Sequence, residues 1–318
     1  MMFIRDAIPA LFFCFTSLTA LSASAPAISK HTLFRSEDQG VSWFRSDHGL
    51  NPAARINALA ATSLRFFAAT DIGMFVSENS GRQWRAAGPL PNRSGRALSV
   101  IAHGNAVFVG TEAGGIVESL DEGQSWIRRD GGTNPLMVRS LVRAGADLFA
   151  GLDAGGALRS TDNGKTWAPA GTGLPDRAQV FDLAATGEAV FAALYALGLY
   201  RFDREHQRWN RIGEVVPLSL AVSAENLSVG HNPGGIFWTG DTGQTWAPAA
   251  GDLPYQAPVW AMAGSRDAFI AGAADGIYLS KDGGRSWRRA ESGLPTQCPG
   301  IAFLIDDRLI LAAVIVGE

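Results

Sequence analysis

Six polar residues recur along the chain at intervals close to forty residues: Asp71, Glu112, Asp153, Tyr195, Asn232 and Asp275. Each lies in a short glycine-containing segment between two apolar runs, as in Glu112-Ala-Gly-Gly and Asp153-Ala-Gly-Gly. Brought together, such groups could hold a cation or a polar ligand. They could also supply the pair of carboxylates that glycoside cleavage requires. The plainer reading is turn chemistry, because Asp and Asn ahead of glycine are ordinary turn formers. Only their common register raises the interest.

A second set, Arg93, Arg96, Arg139 and Arg177, falls in the connections ahead of three of these turns. A guanidinium captures carboxylate or phosphate with a planar fork of donors; the plainer reading is solvated loop charge. Asp47, His48, Asp252 and Tyr255 occupy matching connections. A further group, Arg85, Arg128, Arg129, Arg211, Arg288 and Arg289, follows a recurring tryptophan and reads as charge on an outer strand, where it discourages unwanted pairing.

Other chemistry has no motif to stand on. His31, His103, His206 and His231 are scattered, with no paired-histidine spacing, so no metal site is expected. There is no Gly-x-Ser-x-Gly elbow and no phosphate-binding loop, and no cofactor is expected. The formal net charge of −3 argues against a general nucleic-acid binder.

These residues are set in a repeat. SEDQGVSW ends at Trp43, SENSGRQW at Trp84, SLDEGQSW at Trp126, STDNGKTW at Trp167, TGDTGQTW at Trp246 and SKDGGRSW at Trp287. A degraded copy, FDREHQRW, ends at Trp209; its Asp203 stands one place too early and its turn glycine is missing. The seven tryptophans follow one another at 41, 42, 41, 42, 37 and 41 residues. One unit, from Val138, reads VRSLVRAG, ADLFAGLDAGG, ALRSTDNGKTW, APAGTGLPD. It contains four short apolar runs broken by Gly, Asp, Asn and Pro, which predicts four strands, A to D. Four strands in about forty residues is the size of a propeller blade.

In each unit the motif falls on the C-to-D turn. Asp38, Asp121, Asp162, Asp241 and Asp282 are placed to accept hydrogen bonds from turn amides. The tryptophan that ends each copy opens strand D and can wedge between blades. An aspartate committed to its own backbone is a structural group, not a catalytic one. The C-terminal piece from Gly300 matches strands A and B, and the N-terminal piece from Thr32 matches strands C and D. Together they predict a seventh blade shared by the two ends, which closes the ring and hides its edges.

Ahead of the repeats, residues 1–27 read as an export signal. Arg5 is followed by an apolar run from Ile8 to Leu21 and small residues in LSASAPA. Cys14 would leave with it, so Cys298 stands alone in the mature chain and no intrachain disulfide forms. Residues 28–318 are then one domain, secreted or periplasmic, without a transmembrane segment after cleavage, and expected to be monomeric.

The motif copies, the recurring Gly-Leu-Pro (Gly173-Leu174-Pro175, Gly293-Leu294-Pro295) and the paired glycines before strand C resemble the Asp-box, or bacterial neuraminidase repeat, propellers. Among these the sequence is most similar to the compact seven-bladed proteins related to the photosystem II stability and assembly factor. The resemblance implies an all-β, seven-bladed propeller of four-stranded antiparallel blades. It also implies a ligand face formed by the D-to-A and B-to-C loops, opposite the motif turns. Relatives of the assembly-factor type engage a partner through an arginine-rich surface. Sialidases, which share the repeat, hold their substrate with three arginines and attack with a Glu-activated Tyr. This chain lacks their early Arg-Ile-Pro, and of its tyrosines Tyr200 and Tyr278 fall within strand C. The expected function is therefore an exported, non-enzymatic scaffold for a protein or peptide partner. The other reading is a carbohydrate-binding or glycoside-cleaving propeller using the acidic turns, with a glycan as ligand.

Overall fold

The computed structural model describes residues 30–129, 136–213, 215–223, 226–265, 268–307 and 309–317. The expected export signal, residues 1–27, lies outside them. The described chain forms seven antiparallel four-stranded sheets, one of which gains a short fifth strand. They are the blades of a propeller. Blades 1 to 6 follow chain order, with innermost strands Ile56–Ala61, Ala97–His103, Val138–Ala144, Val180–Thr186, Pro217–Ser223 and Val259–Gly264. The innermost strands of consecutive blades pack side by side around the ring, and Gly300–Asp306 of the closing blade meets Ile56–Ala61 of blade 1.

Blade 7 is made from both ends of the chain. Gly300–Asp306 and Leu309–Val316 supply strands A and B, and Lys30–Ser36 and Phe44–Arg45 supply strands C and D. Lys30–Ser36 pairs with the C-terminal strand from Lys30↔Val316 to Ser36↔Ile310. This is the shared blade expected from the sequence.

The apolar core lies between blades. Leu33, Leu311 and Ala313 of blade 7 pack against Ile56, Phe66 and Trp84 of blade 1. Phe149 of blade 3 packs against Val190, Phe202 and Trp209 of blade 4. Strand B of each blade is covered on both faces by neighbouring sheets, which is why it reads as a nearly unbroken apolar run (FFAAT, AVFVGT, AVFAAL, FIAGA) and not as an alternation.

The C-to-D turns share one hydrogen-bond scheme. In blade 3, the buried Ser160 Oγ donates to Asp162 Oδ1 at 2.8 Å and accepts from Gly164 N at 2.8 Å. Asp162 also accepts from Thr166 N at 2.9 Å and Thr166 Oγ1 at 2.6 Å. Asp38, Asp121, Asp241 and Asp282 each bond the hydroxyl two residues before and the backbone amide four residues after. Asn79 does the same in blade 1. Donors on both oxygens hold Asp38, Asp121 and Asp162 at a pKa of about 2.

Of the motif tryptophans, Trp43, Trp84, Trp126, Trp209 and Trp287 are buried, while Trp167 and Trp246 are half-buried. In four of the described D-to-A loops a glycine lies against the backbone of the next blade's tryptophan. A Cβ on Gly173 would come within 2.3 Å of Trp209 O, and one on Gly293 within 2.1 Å of Trp43 O; both glycines have positive φ. The recurring glycine of Gly-Leu-Pro is thus where one blade's loop touches the backbone of the next.

Candidate functional site

The B-to-C turns and D-to-A loops share one face of the ring, opposite the C-to-D turns. A repeated backbone bond ties them together. Asp71 N donates to Arg55 O, Glu112 N to Arg96 O, Asp153 N to Met137 O and Asn232 N to Val216 O. Asp71, Glu112, Asp153 and Asn232 are therefore equivalent positions in four blades. Asp275 is one place off: in the two-residue turn between Ala273 and Gly276, Ala274 holds the position that matches Asp71. Its carboxylate turns aside to accept from Tyr278 Oη at 2.7 Å.

Side chains from the two sequence sets meet on this face. Arg96 pairs with Glu112 at 2.7 Å, and Arg139 Nε pairs with Asp153. Asp153 also accepts from Gln179 Nε2 at 2.6 Å, across the junction of blades 3 and 4. Arg96 holds Glu112, and Gln179 with Arg139 holds Asp153, below the usual carboxylate range, although burial pulls both the other way and is the largest single influence on Asp153. Asp71 accepts from the backbone amide of Arg55 at 2.8 Å. Two of the acidic turn residues are thus paired with two arginines of the basic arc.

Arg93 and Arg177 remain at exposed loop tips, both with positive φ. They hold the same place in turns closed by Ser94 N to Pro91 O and Ala178 N to Pro175 O. Tyr255, 73% exposed, stands at the corresponding loop of blade 6.

Each innermost strand bulges at its second residue, which places Asn57, Leu98, Arg139, Phe181, Leu218, Trp260 and Ile301 at matching positions at this end of the ring. Two adjacent members, Arg139 and Phe181, touch. The Arg139 guanidinium lies 5.1 Å from the Phe181 ring centroid, and Phe181 lies 5.9 Å from the Tyr195 ring. Trp260 is exposed. Phe181, Gln179 and Trp260 were not legible as site residues from motifs. Aligning strand A by its first buried residue would have placed Phe181 and Trp260 beside Arg139.

The short tryptophan spacing of 37 residues also acts here. Strand D of blade 4 runs on as Arg208–Gly213, and only residues 214–216 connect it to Pro217. No Gly-Leu-Pro loop covers this junction, and the neighbouring Tyr195-Ala-Leu turn is open, with Leu197 40% exposed. A cavity of about 210 Å³ lies on the same face between blades 7 and 1, lined in part by His31, Asp47 and His48. His31 Nδ1 accepts from Ile56 N at 3.0 Å, and burial lowers its pKa, so the ring is neutral at pH 7.

Asp182, on the innermost strand of blade 4, accepts from Leu220 N of blade 5 at 2.8 Å and from Leu183 N at 2.9 Å. Burial without a cationic partner pushes it up to about 7. Cys298 is buried where other blades place Ala54, Ser94, Ala178 and Ala257, and burial pushes its thiol up to about 11. Among the described residues, no three His, Cys, Asp or Glu side chains are grouped so as to hold a metal ion.

Comparison with protein-family models and with curated proteins gives no match. Solved structures do match. YCF48 bound to D1 peptide is 16% identical with a TM-score of 0.64, over 83% of this chain and 94% of that one. The GH74 xyloglucanase from Xanthomonas campestris is 15% identical with a TM-score of 0.66, over 88% of this chain and 54% of that one, so this chain spans about half its length. Human WBSCR16 is 10% identical with a TM-score of 0.65, over 90% and 98% of the two chains. Likeness at this level of identity is a likeness of fold, and with the seven sheets it makes this chain a seven-bladed β-propeller similar to YCF48 and to the GH74 propellers.

Proposed function

We propose that the protein is an exported, non-enzymatic scaffold whose loop face binds a protein or peptide partner outside the cytoplasm. The observation that carries this reading is the locking of Glu112 and Asp153 as carboxylates by Arg96 and Arg139. Glycoside cleavage needs one carboxyl group that keeps its proton near neutral pH. Both turn acids are shifted the other way. Paired charges beside the ring of Phe181, with Arg93 and Arg177 exposed at the rim, suit recognition better than proton transfer. The structural likeness to YCF48, which was solved with a peptide bound, supports the same reading. The apolar run and small-residue exit in residues 1–27 support export.

The test is a peptide array of envelope-protein segments probed with the labelled protein. Binding to a defined segment, weakened by Arg93→Ala, Arg139→Ala and Arg177→Ala, is expected. A second reading, a carbohydrate ligand, draws on the likeness to the GH74 enzymes. Glycan binding or glycoside turnover that Glu112→Ala and Asp153→Ala abolish, with no peptide bound, would replace the scaffold reading.

A further inference from the structure

Blade 4 carries the degraded motif copy, and its outer hairpin is built differently from the others. Strands Gly198–Asp203 and Arg208–Gly213 pair over their length with a bulge at Leu199/Tyr200, where the equivalent D strands of blades 1, 2, 3 and 5 have two residues. Asp203 caps the turn through Glu205 N and His206 N and meets His206 Nδ1 at 2.8 Å. Arg204 turns back to Asp147, the carbonyl of Ala144 and Glu188. The hairpin is thus anchored to blade 3 on one side. Beside the hairpin lies a cavity of about 400 Å³ whose described lining comes from blade 4.

The cavity lies on the face of the ring away from the loop site. Glu188, Arg201, Asp203, Arg204, Asn210 and Ile212 line it. Most of this charge is already matched. Arg204 and Glu188 face each other, Arg204 also holds Asp147, and Asp203 is taken up by its turn and His206. Arg201 differs: its guanidinium makes one hydrogen bond, to Thr242 Oγ1 of blade 5 at 3.3 Å, and no ion pair among the described residues. Asn210 lies directly across the hairpin from Arg201. Ile212 reaches the Gly243 turn of blade 5 and supplies an apolar side. At this junction Trp246 is half-buried and its buried indole N–H has no partner among the described residues.

A cavity in the small-molecule size range, about 300–1,000 Å³, with one guanidinium that has no ion pair among the described residues and a neighbouring amide, selects for a small hydrogen-bonding anion. We propose that this hollow beside the blade 4 hairpin is a second ligand site, for a small hydroxylated carboxylate, with Arg201 holding the carboxylate and Asn210 a hydroxyl. Arg suits this task because its planar fork meets both carboxylate oxygens. The proposal does not depend on what the loop face binds.

D-gluconate and D-sorbitol serve as probes, since they differ only in a carboxylate against a hydroxymethyl group. Titration of the full-length protein by calorimetry and by protein NMR is expected to show gluconate binding with shifts confined to blades 4 and 5, and little or no sorbitol binding. Arg201→Gln, which keeps an amide donor but removes the charge, should weaken gluconate binding at least about tenfold, and Arg201→Lys should restore part of it. An unchanged melting temperature in both variants separates loss of the site from loss of the fold. Equal binding of the two probes, gluconate binding indifferent to Arg201→Gln, or no gluconate binding up to tens of millimolar would each overturn the proposal.

Discussion

The guanidinium of Arg139 lies 5.1 Å from the ring centroid of Phe181 while its Nε binds the carboxylate of Asp153. One side chain from blade 3 thus engages an aromatic from blade 4 and an acid from its own B-to-C turn. Arg139→Ala should weaken partner binding on the loop face by about tenfold or more, and Arg139→Lys should not restore it, because an ammonium cannot both stack flat and pair through a planar fork. Peptide titration of the two variants at matched thermal stability measures this.

The shared blade makes closure of the ring depend on the last strand. Leu311 is fully buried in the cluster joining blades 7 and 1. Leu311→Ala should cost about 2–5 kcal/mol in urea unfolding, the usual range for a truncated core leucine. Deletion of residues 300–318 leaves Lys30–Ser36 without its partner strand and should abolish soluble folded protein. A stable monomer from that deletion would contradict the shared-blade closure.

Gly173 approaches the backbone of the next blade. Gly173→Ala places a methyl group 2.3 Å from Trp209 O at a φ of +88°, so both sterics and backbone strain oppose it. A loss of at least about 2 kcal/mol and a clearly lower Tm are expected. Gly187→Ala, where a Cβ meets nothing within 4 Å, shares the positive φ and serves as the control for strain alone.

Two kinds of aspartate should give opposite pH dependences. Asp38, Asp121 and Asp162 have folded pKa values of about 2, below the value near 3.9 expected in the unfolded chain. Their contribution is present above pH 4 and is lost as pH falls towards 2. Asp162→Asn should fold, as Asn79 does in blade 1, and show a shallower acid limb in Tm against pH. Asp182 has its folded pKa raised to about 7, so the folded state keeps a proton that the unfolded chain has released. Its contribution is fully present below about pH 4 and declines as pH rises to about 7. Asp182→Asn should flatten that decline; a mutant whose Tm still falls as steeply as the parent's between pH 4 and pH 7 would contradict it.

The architecture was legible in the sequence because the repeat writes it locally. Ser160, Asp162, Gly164 and Trp167 make their turn with one another and with nearby backbone, so seven copies announce seven blades, and the half-units at Thr32 and Gly300 announce the shared one. The positions of Asp71, Glu112, Asp153 and Asn232 were legible for the same reason, since each sits at a fixed distance from its own turn. What those residues do was not. Arg96 and Glu112 stand sixteen residues apart, and Gln179 and Asp153 twenty-six. Only the folding of strand A against strand B, and of one blade against the next, brings Arg96 to Glu112 and Arg139 and Gln179 to Asp153. The bulge that aims Arg139 at Phe181 and the missing loop beside Tyr195 likewise act between blades. Sequence alone determined the blades, because each is held by local hydrogen bonds; the tertiary structure decided the surfaces, because charge pairing, stacking and cavities depend on distances between units that the repeat does not encode.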